Sequence, residues 1–515
     1  MLCTLVSVAV LTLGGVSGLS LPKSNMIMPK HGKNLPGSNL KASAVSAAVS
    51  VGVVLPLWLT TLVPMALLEF VASGVKSVLG PRQKRLSDYW ETGITARPAD
   101  ALDSSAPREL DLVIYGATGF TGKLLTKYVA ENYRGKVKFA IGGRSKEGLE
   151  RVRASLGDGF ADVPIIIAES SDAAAITSMV RRTKAIANLA GPFSVYANLL
   201  VATCAQQGTH YTDITGEANW VSVIIDKYDK IAQESGARIV NMCGCDCVPW
   251  EMSVHAVHEE FKKRGYGEIR EVNCYDHFKG SASGGTLTTI STILADKSSF
   301  KPRCGFNPLV MLPDGTKSAA TYTGRPQYLL GYSTEISAWT GCFIMSTVMA
   351  QSIMRSNALN KYSKDLTYRE AMVFPNFFAG LSASIGLLAG GTAFYISPIR
   401  SLLLKFGLLP KPGEGPSSEA MDESFLEVKT VAHGVKKDGK SPVQVTQSLY
   451  FPTDPGYRDT ARMLAETALT MILDEKDTRV NPKGGVLTPS AACGSALLDR
   501  LVQTGCEYAV EADEE

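Results

Sequence analysis

From residue 110 onward, two patterns of apolar positions alternate along the chain, and they predict strands followed by helices. Short runs rich in β-branched residues are typical of buried strands, and each is followed by apolar residues at helical spacing. The strands are predicted at 112–115, 136–141, 163–168, 185–190, 208–217 and 237–243. The helices are predicted from Gly122 and at 172–181, 196–207 and 221–235. This alternation predicts an α/β fold with a Rossmann-type, doubly wound parallel sheet.

Two apolar stretches near the amino terminus differ from this pattern. Residues 2–16 have the length of a signal peptide and precede the small residues Ser17 and Gly18, although no basic region comes first. Residues 42–68 carry no charge, and a bilayer span needs about 20 residues. They predict a membrane span or an interfacial hairpin, with a buried helix or a cleaved targeting segment as the alternatives. We interpret 1–107 as an apolar, membrane-associated targeting extension with a polar linker.

The chain after residue 248 predicts a second, α+β domain with an open sheet. Its strands are predicted at 269–278, 425–435 and 443–450, the last two joined by a hairpin at Asp438-Gly439. The uncharged segment 371–399 inside it predicts interfacial insertion, a buried core or dimer helix, or a true span. The proposed divisions are a cofactor domain at 108–248, a substrate and association domain at 249–470, and a carboxyl-terminal segment at 471–515 that packs back on the cofactor domain.

Three glycines after the first predicted strand have the spacing of a dinucleotide-binding turn. Gly116 lets the chain turn sharply, Gly119 leaves room for a pyrophosphate, and Gly122 permits close packing of helix on strand. The helix amino terminus then presents free N–H groups to the phosphate. The candidate cofactor contacts in this turn are Gly116, Thr118, Gly119, Phe120, Thr121 and Gly122.

The end of the second strand indicates which dinucleotide binds. An acidic residue there would bind the ribose 2′-hydroxyl of NAD, and residues 135–146 contain none. Arg144 instead offers a guanidinium to a 2′-phosphate, and Ser145 can assist, so we predict NADP(H). At the end of the fourth strand, where the nicotinamide is expected, the candidate contacts are Asn188, Gly191 and Pro192.

Charge and cysteine content narrow the function classes. The chain has 52 basic and 49 acidic residues, a net charge of +3, which argues against a nucleic-acid partner. Its ten cysteines are spread over 515 residues and are expected to be reduced, with the nucleotide domain facing a reducing compartment. Neither the alternating cysteines at 243–247 nor the pair His255 and His258 has the spacing of metal ligands, so no metal site is expected.

Several motifs occur together in a definite order. They are GATGFTG at 116–122, GGRS at 142–145, the segment 189–217, CGCDCVP at 243–249, and the segments 411–421 and 484–501. Together they resemble the saccharopine dehydrogenase-like oxidoreductases, which include lipid-droplet-associated members and trans-acting enoyl reductases. In CGCDC, Cys245 and Cys247 stand where that family usually has an aromatic residue and Ser. The resemblance implies an NADP-type oxidoreductase with a Rossmann domain, and association with lipid or membrane.

The predicted function is a membrane- or lipid-associated NADP(H)-dependent oxidoreductase that reduces a C=C, C=O or C=N bond of a hydrophobic, lipid-type substrate. A non-catalytic nucleotide-binding scaffold on a lipid surface and an amino-acid-type imine reductase with a soluble substrate are the alternatives. An endomembrane, a lipid droplet or a plastid envelope could be the location, and a homodimer is left open. No spacing marks the proton donor, for which the candidates are Tyr196, His210, Tyr211 and Asp213.

Overall fold

Two seven-stranded sheets organise the protein. The computed structural model describes residues 40–79, 90–280, 287, 311–312, 327, 329–343, 345–411 and 413–512. The apolar stretch 2–16 and the glycine-rich residues 281–285 lie outside the described residues. The strands are β1 (Leu110–Tyr115), β2 (Phe139–Gly143), β3 (Ile165–Ile167), β4 (Thr183–Asn188), β5 (His210–Asp213), β6 (Arg238–Val240), β7 (Ile269–Lys279), β8 (Gly331–Ser333), β9 (Ala338–Gly341), β10 (Thr367–Phe374), β11 (Phe425–Val435), β12 (Pro442–Phe451), β13 (Gly485–Leu487) and β14 (Glu507–Ala512).

Helices cover both sheets and form the amino-terminal extension. They are α1 (Leu40–Val49), α2 (Val63–Leu79), α3 (Phe120–Tyr133), α4 (Lys146–Ala154), α5 (Ala173–Arg181), α6 (Phe193–Tyr196), α7 (Asn198–Gln207), α8 (Ala218–Ser235), α9 (Val248–Lys263), α10 (Ser346–Asn360), α11 (Phe377–Tyr395), α12 (Ser397–Lys405), α13 (Ser418–Asp422), α14 (Arg458–Leu473) and α15 (Pro489–Gln503). Helical turns at residues 50–62, partly of π type, join α1 to α2 into one continuous run.

The first sheet is parallel throughout, in the order β13-β6-β5-β4-β1-β2-β3. This confirms the predicted Rossmann-type, doubly wound fold, with β1 and β4 on either side of the point where the strand order reverses. The second strand begins at Phe139 instead of 136. The difference arises because the amides of Lys136 and Val137 bond to the carbonyl of Tyr133, at 3.0 and 3.1 Å, and complete the turn out of α3.

The second sheet is mixed, in the order β14-β12-β11-β7-β10-β9-β8. Its β7 and β10 are parallel, and its other neighbouring pairs are antiparallel. The predicted hairpin is present as β11 and β12, which pair from Leu426 and Phe451 to Val435 and Pro442. The carboxyl-terminal part of the chain joins both sheets, because β13 extends the first and β14 extends the second.

The uncharged segment 371–399 is divided between a strand and helices. Its first residues belong to β10, which lies between β7 and β9, with Ala371 and Val373 buried. Asn376 then caps α11 by accepting a hydrogen bond from the amide of Ala379 at 3.0 Å. By length and composition alone, α11 and the stretch Ser43–Val71 could each cross a membrane.

A buried carboxylate joins the cofactor domain to the carboxyl-terminal helices. Glu466 on α14 accepts hydrogen bonds from Tyr128 and Tyr133 of α3, at 2.6 and 2.7 Å. Arg500 on α15 lies 3.3 Å from the same carboxylate, whose side chain is completely buried. Because a buried carboxylate is stable only when it is paired, this contact holds α3, α14 and α15 together.

Replacing Arg500 with methionine should lower the free energy of unfolding by about 3 kcal/mol, because Glu466 would remain buried without its cation. Urea denaturation of the full chain measures this. The matched control is Lys127→Met, which removes an exposed pair with Glu131 at 3.7 Å and should change stability by less than about 1 kcal/mol. Equal losses for the two variants would contradict the role given to Arg500.

Candidate functional site

The turn between β1 and α3 is built from glycines that admit no side chain. Gly116 has φ +86°, and a Cβ there would lie 2.7 Å from the amide nitrogen of Ala190. A Cβ on Gly122 would lie 2.4 Å from the carbonyl oxygen of Gly116. These two glycines therefore bring the start of α3 against the ends of β1 and β4.

Gly119 differs from its two neighbours because space is open in front of it. A Cβ there would meet only the carbonyl oxygen of Gly116, at 3.4 Å. Gly119 precedes the first turn of α3, and no described side chain caps that turn. The first-turn amides, with Phe120 and Thr121 leading, are thus available to an anion at the positive end of the helix. The turn fits the diphosphate of a dinucleotide.

Two elements from the carboxyl-terminal half cover this turn. The Phe120 ring makes an edge contact with Tyr457, with 5.3 Å between ring centroids. A Cβ on Gly415 would lie 2.5 Å from the Phe120 ring, so the segment around Gly415 passes directly over it. Gly415 and Tyr457 are not among the sequence-predicted site residues, although Gly415 lies in the family motif at 411–421.

Arg144 and Ser145 follow β2 beside the glycine turn. The register pairs Gly142 with Tyr115, and the Gly142 carbonyl accepts a hydrogen bond from the Gly116 amide at 2.9 Å. Ser145 caps α4 by accepting a bond from the Gly148 amide at 3.1 Å. The Arg144 side chain is exposed. Its guanidinium is therefore free to reach a phosphate held at the same edge of the sheet.

The end of β4 forms a rigid turn at the same edge. Asn188 is fully buried, donating to the Tyr211 hydroxyl at 2.9 Å and accepting from the Ala190 amide at 2.9 Å. Both ends of its side chain are engaged, so Asn188 shapes the turn, while Gly191 and Pro192 remain accessible. Glu217 accepts from the amide of Phe193 at 2.8 Å and fixes the start of α6. Glu217 is not among the sequence-predicted site residues.

Asp213, at the carboxyl end of β5, collects hydrogen bonds from three segments. Its donors are the hydroxyl of Tyr211 at 2.9 Å, the amide group of Asn241 at 2.8 Å and the backbone amides of Thr215 at 3.2 Å and Met242 at 3.1 Å. Burial raises the pKa of Asp213 to about 6, and these bonds oppose the rise. Asp213 is therefore a carboxylate at neutral pH and an anchor for the loop after β6.

The remaining proton-donor candidates lie in different places. His210 begins β5, at the end of the strand opposite Asp213, and its two ring nitrogens contact the backbone amide and guanidinium of Arg238 at 3.1 and 2.8 Å. Burial, with Arg238 adding to it, lowers the pKa of His210. Tyr196 ends α6 with 41% of its surface exposed. The structure thus brings Tyr211 and Asp213 together and separates His210 from them.

The loop at residues 241–247 follows β6 and contains the alternating cysteines. Met242 has φ +62°, a strained conformation held by its bond to Asp213. Cys243 is buried and donates to the Val240 carbonyl at 3.2 Å. Among the described residues, no group of three His, Cys, Asp or Glu side chains is arranged to hold a metal ion. The loop also carries Asp246, which the sequence analysis did not select.

The chain is similar to known proteins in sequence and, more distantly, in fold. The family described as the saccharopine dehydrogenase NADP binding domain matches residues 112–240. A trans-acting enoyl reductase from Mycobacterium ulcerans is 34% identical, and one from Mycobacterium tuberculosis strain H37Rv is 31% identical, each alignment covering 78% of this chain and 98% of the relative. The chain belongs to the saccharopine dehydrogenase-like oxidoreductases. Apo saccharopine dehydrogenase (L-Glu forming) from Saccharomyces cerevisiae superposes with a TM-score of 0.43 and 13% identity, covering 79% of this chain and all of that one.

Membership of this family makes the protein an NADP-dependent oxidoreductase and confirms the predicted cofactor class. The match at residues 112–240 spans the glycine turn, Arg144 and Asp213. The predicted cofactor contacts in this oxidoreductase are the amides of the glycine turn and the accessible turn at Gly191 and Pro192. Arg144 is the predicted contact for the 2′-phosphate, the group that distinguishes NADPH from NADH.

Replacing Arg144 with glutamate should weaken NADPH binding by about 10- to 100-fold, because one charge-assisted contact is worth about 1.5–3 kcal/mol. NADH binding should change by less than about threefold, since NADH lacks the 2′-phosphate. Isothermal titration calorimetry with both dinucleotides measures this. Equal weakening of both would contradict the assignment of Arg144.

Gly119→Ala is the matched control, a variant expected to weaken cofactor binding without discriminating between NADPH and NADH. Its methyl group would occupy the open space in front of α3, where only the Gly116 carbonyl is near. This variant should therefore fold normally and bind NADPH and NADH more weakly by the same factor.

Proposed function

We propose that this oxidoreductase uses NADPH to reduce the C=C bond of a hydrophobic α,β-unsaturated acyl substrate at a lipid surface. Bound NADPH supplies a hydride, and the chain supplies orientation, shelter from water and a proton. The relatives that align over 98% of their length are named trans-acting enoyl reductases, which supports the reaction class.

The charge at the carboxyl ends of β5 and β6 is the observation that carries this proposal. The acidic side chains there are Asp213, Glu217 and Asp246, and the segments 213–217 and 241–247 contain no Lys or Arg. An amino-acid substrate needs a cation to bind its carboxylate, and the ionised Asp213 would repel that group. The edge therefore favours a neutral acyl substrate over an amino-acid-type imine.

Two adjacent apolar helical segments, the run from α1 to α2 and α11, support a lipid surface as the location of the reaction. We call these two segments the helix pair. The run from α1 to α2 packs along α11, with Ser46 2.6 Å from Ser382 and the Trp58 indole donating to Thr392 at 2.8 Å. Farther along, Ser397 donates to Glu69. The residues that pair advance together along both segments, so the run from α1 to α2 and α11 are parallel.

The outer face and far end of this pair are apolar and exposed. On the amino-terminal run, Leu67 and Leu68 are 61% and 69% exposed. Just after α11, Leu402, Phe406 and Leu408 are 52%, 68% and 65% exposed. We name the last three the distal patch. Clustered apolar side chains of this size are typical of surfaces that insert into lipid.

The connectivity of the second sheet favours insertion into one leaflet over a complete crossing. The strand before α11 is β10 and the strand that follows is β11, and both pair with β7. A chain that crossed with α11 would have to cross back before β11. The described helices between α11 and β11 are α12, with nine residues, and α13, with five, whereas a crossing needs about 20.

With NADPH, the detergent-solubilised full chain should reduce the N-acetylcysteamine thioester of trans-2-dodecenoic acid. We expect the rate to be at least about tenfold higher than with imines formed from α-keto acids and amino acids, a difference of about 1.4 kcal/mol. NADPH absorbance and the mass of the saturated product measure this. Faster reduction of the imines would overturn the acyl assignment, and Gly119→Ala is the control that should lose both rates.

Replacing Leu402, Phe406 and Leu408 together with glutamate should reduce the fraction of full chain that floats with phosphatidylcholine liposomes. Each buried side chain of this size contributes about 1.5–3 kcal/mol, so the partition coefficient should fall by at least about tenfold. The matched control is Val502→Glu on α15, where an exposed apolar residue lies outside the helix pair. Unchanged flotation of the triple variant would show that the distal patch does not enter lipid.

A further inference from the structure

The first turn of α14 connects the glycine turn to the loop after β6. Tyr457, which caps α14, contacts Phe120 of the glycine turn. Three residues later, the Thr460 hydroxyl accepts a hydrogen bond from the amide of Cys245 at 2.9 Å. Three residues of helix span only about 5 Å. The segment carrying Asp246 is therefore held beside the glycine turn, at the edge of the first sheet formed by the carboxyl ends of its strands. Doubly wound folds bind their ligands at this edge.

Asp246 has an unusual environment in this loop. Its side chain is half-buried, and its Oδ2 atom is buried with no hydrogen-bond partner among the residues that the structure describes. Gly244 leaves the room for this carboxyl group, since a Cβ there would lie 2.9 Å from Oδ2. Asp213, in contrast, has four donors. The two aspartates at this edge thus differ in how well their charged forms are stabilised.

The ionisable groups around this loop are mostly acidic or neutral. They are Asp213 from β5, Cys243, Cys245 and Cys247 from the loop itself, Glu251 from α9, Asp276 from β7, Glu370 from β10, and Asp454 and Asp459 near the start of α14. Asp459 has its own cation, Arg462, at 2.8 Å. Burial, followed by the charge of Asp213, raises the pKa of Asp246 to about 8. Asp246 is therefore a neutral acid at pH 7.

We propose that Asp246 is the proton donor of the reduction, a catalytic residue that delivers its carboxyl proton to a substrate bound beside the glycine turn. This assignment rests on the function proposed above. Asp213 then has a positioning role, because it holds the backbone of the loop and, as a carboxylate, favours the protonated form of Asp246.

The proposed step balances in atoms and charge. Saturation of a C=C bond requires one hydride, which NADPH supplies when bound, and one proton. The O–H bond of Asp246 breaks, a C–H bond forms on the carbon next to the carbonyl, and Asp246 is left as a carboxylate. A proton from solvent then restores the acid. The half-buried position of Asp246 allows this exchange with solvent between turnovers.

The test is Asp246→Asn in the full chain, which preserves the size of the side chain and removes the proton. With NADPH and the dodecenoyl thioester, kcat should fall by about 100-fold or more, the range for a general acid, while NADPH affinity by calorimetry stays unchanged. The wild-type kcat should decrease as pH rises through about 8, because the acid form is lost above its pKa. The residual rate of the variant should lack this decrease. An unchanged kcat in the variant would overturn the proposal.

Infrared difference spectroscopy tests the protonation state without turnover. Between pH 7 and a pH well above 8, the NADPH-bound wild type should lose a carboxylic-acid C=O band that is absent from Asp246→Asn. The matched control is Asp454→Asn, a second buried carboxyl whose pKa burial raises to about 6, and it should retain that band. If Asp246→Asn shows the same carboxylic-acid bands as the wild type, Asp246 is ionised at pH 7 and the proposal fails. If the wild type reduces no enoyl thioester, the proposed substrate class fails, and the infrared band alone decides whether Asp246 holds the proton.

Discussion

At Gly116 and Gly122 the chain has room for a hydrogen atom and for nothing larger, and the cofactor edge depends on this constraint. A methyl group at either position would collide with backbone, at 2.7 Å from Ala190 or 2.4 Å from Gly116 itself. The close approach places the uncapped start of α3 at the point where the strand order reverses. The amides there can then bind a diphosphate, because the helix leaves them without partners of their own.

Asp213 lies at the same edge of the sheet and organises the loop where the proton transfer is proposed to occur. By accepting bonds from Tyr211, Asn241 and Met242, it joins β5 to the loop after β6 and holds Met242 in a strained conformation. The same negative charge disfavours the ionised form of Asp246. One carboxylate thus has two effects, one on geometry and one on proton affinity, and both act on the side of the sheet where a substrate would meet the cofactor.

The apolar helices are constrained by the second sheet in a comparable way. The strands before and after α11 lie in one sheet, on either side of β7. If α11 enters a lipid layer, as proposed, both of its ends must therefore return to the same side of that layer. The run from α1 to α2 lies parallel to α11 and adds a second apolar surface beside it. A cofactor edge and an exposed apolar helix pair on one chain support the proposal of an enzyme that takes its substrate from an apolar phase.

The sequence alone determined the features that lie within a few consecutive residues. The glycine turn, Arg144 and Ser145 after β2, the strand and helix alternation and the β11–β12 hairpin could all be predicted, because their causes are local: glycine spacing, periodicity and turn chemistry. The uncharged segment 371–399 could not be divided in this way, since a strand buried on both faces and an apolar helix have the same composition.

Only the tertiary structure decided which distant residues complete the site. Gly415 and Tyr457 cover Phe120 from more than 290 positions away in the chain, and Thr460 holds the loop of Asp246 from more than 200. The different roles of Asp213 and Asp246 follow from the number of hydrogen-bond donors that reach each carboxyl group. That number is set by how separate strands and helices pack, which the order of residues along the chain does not show.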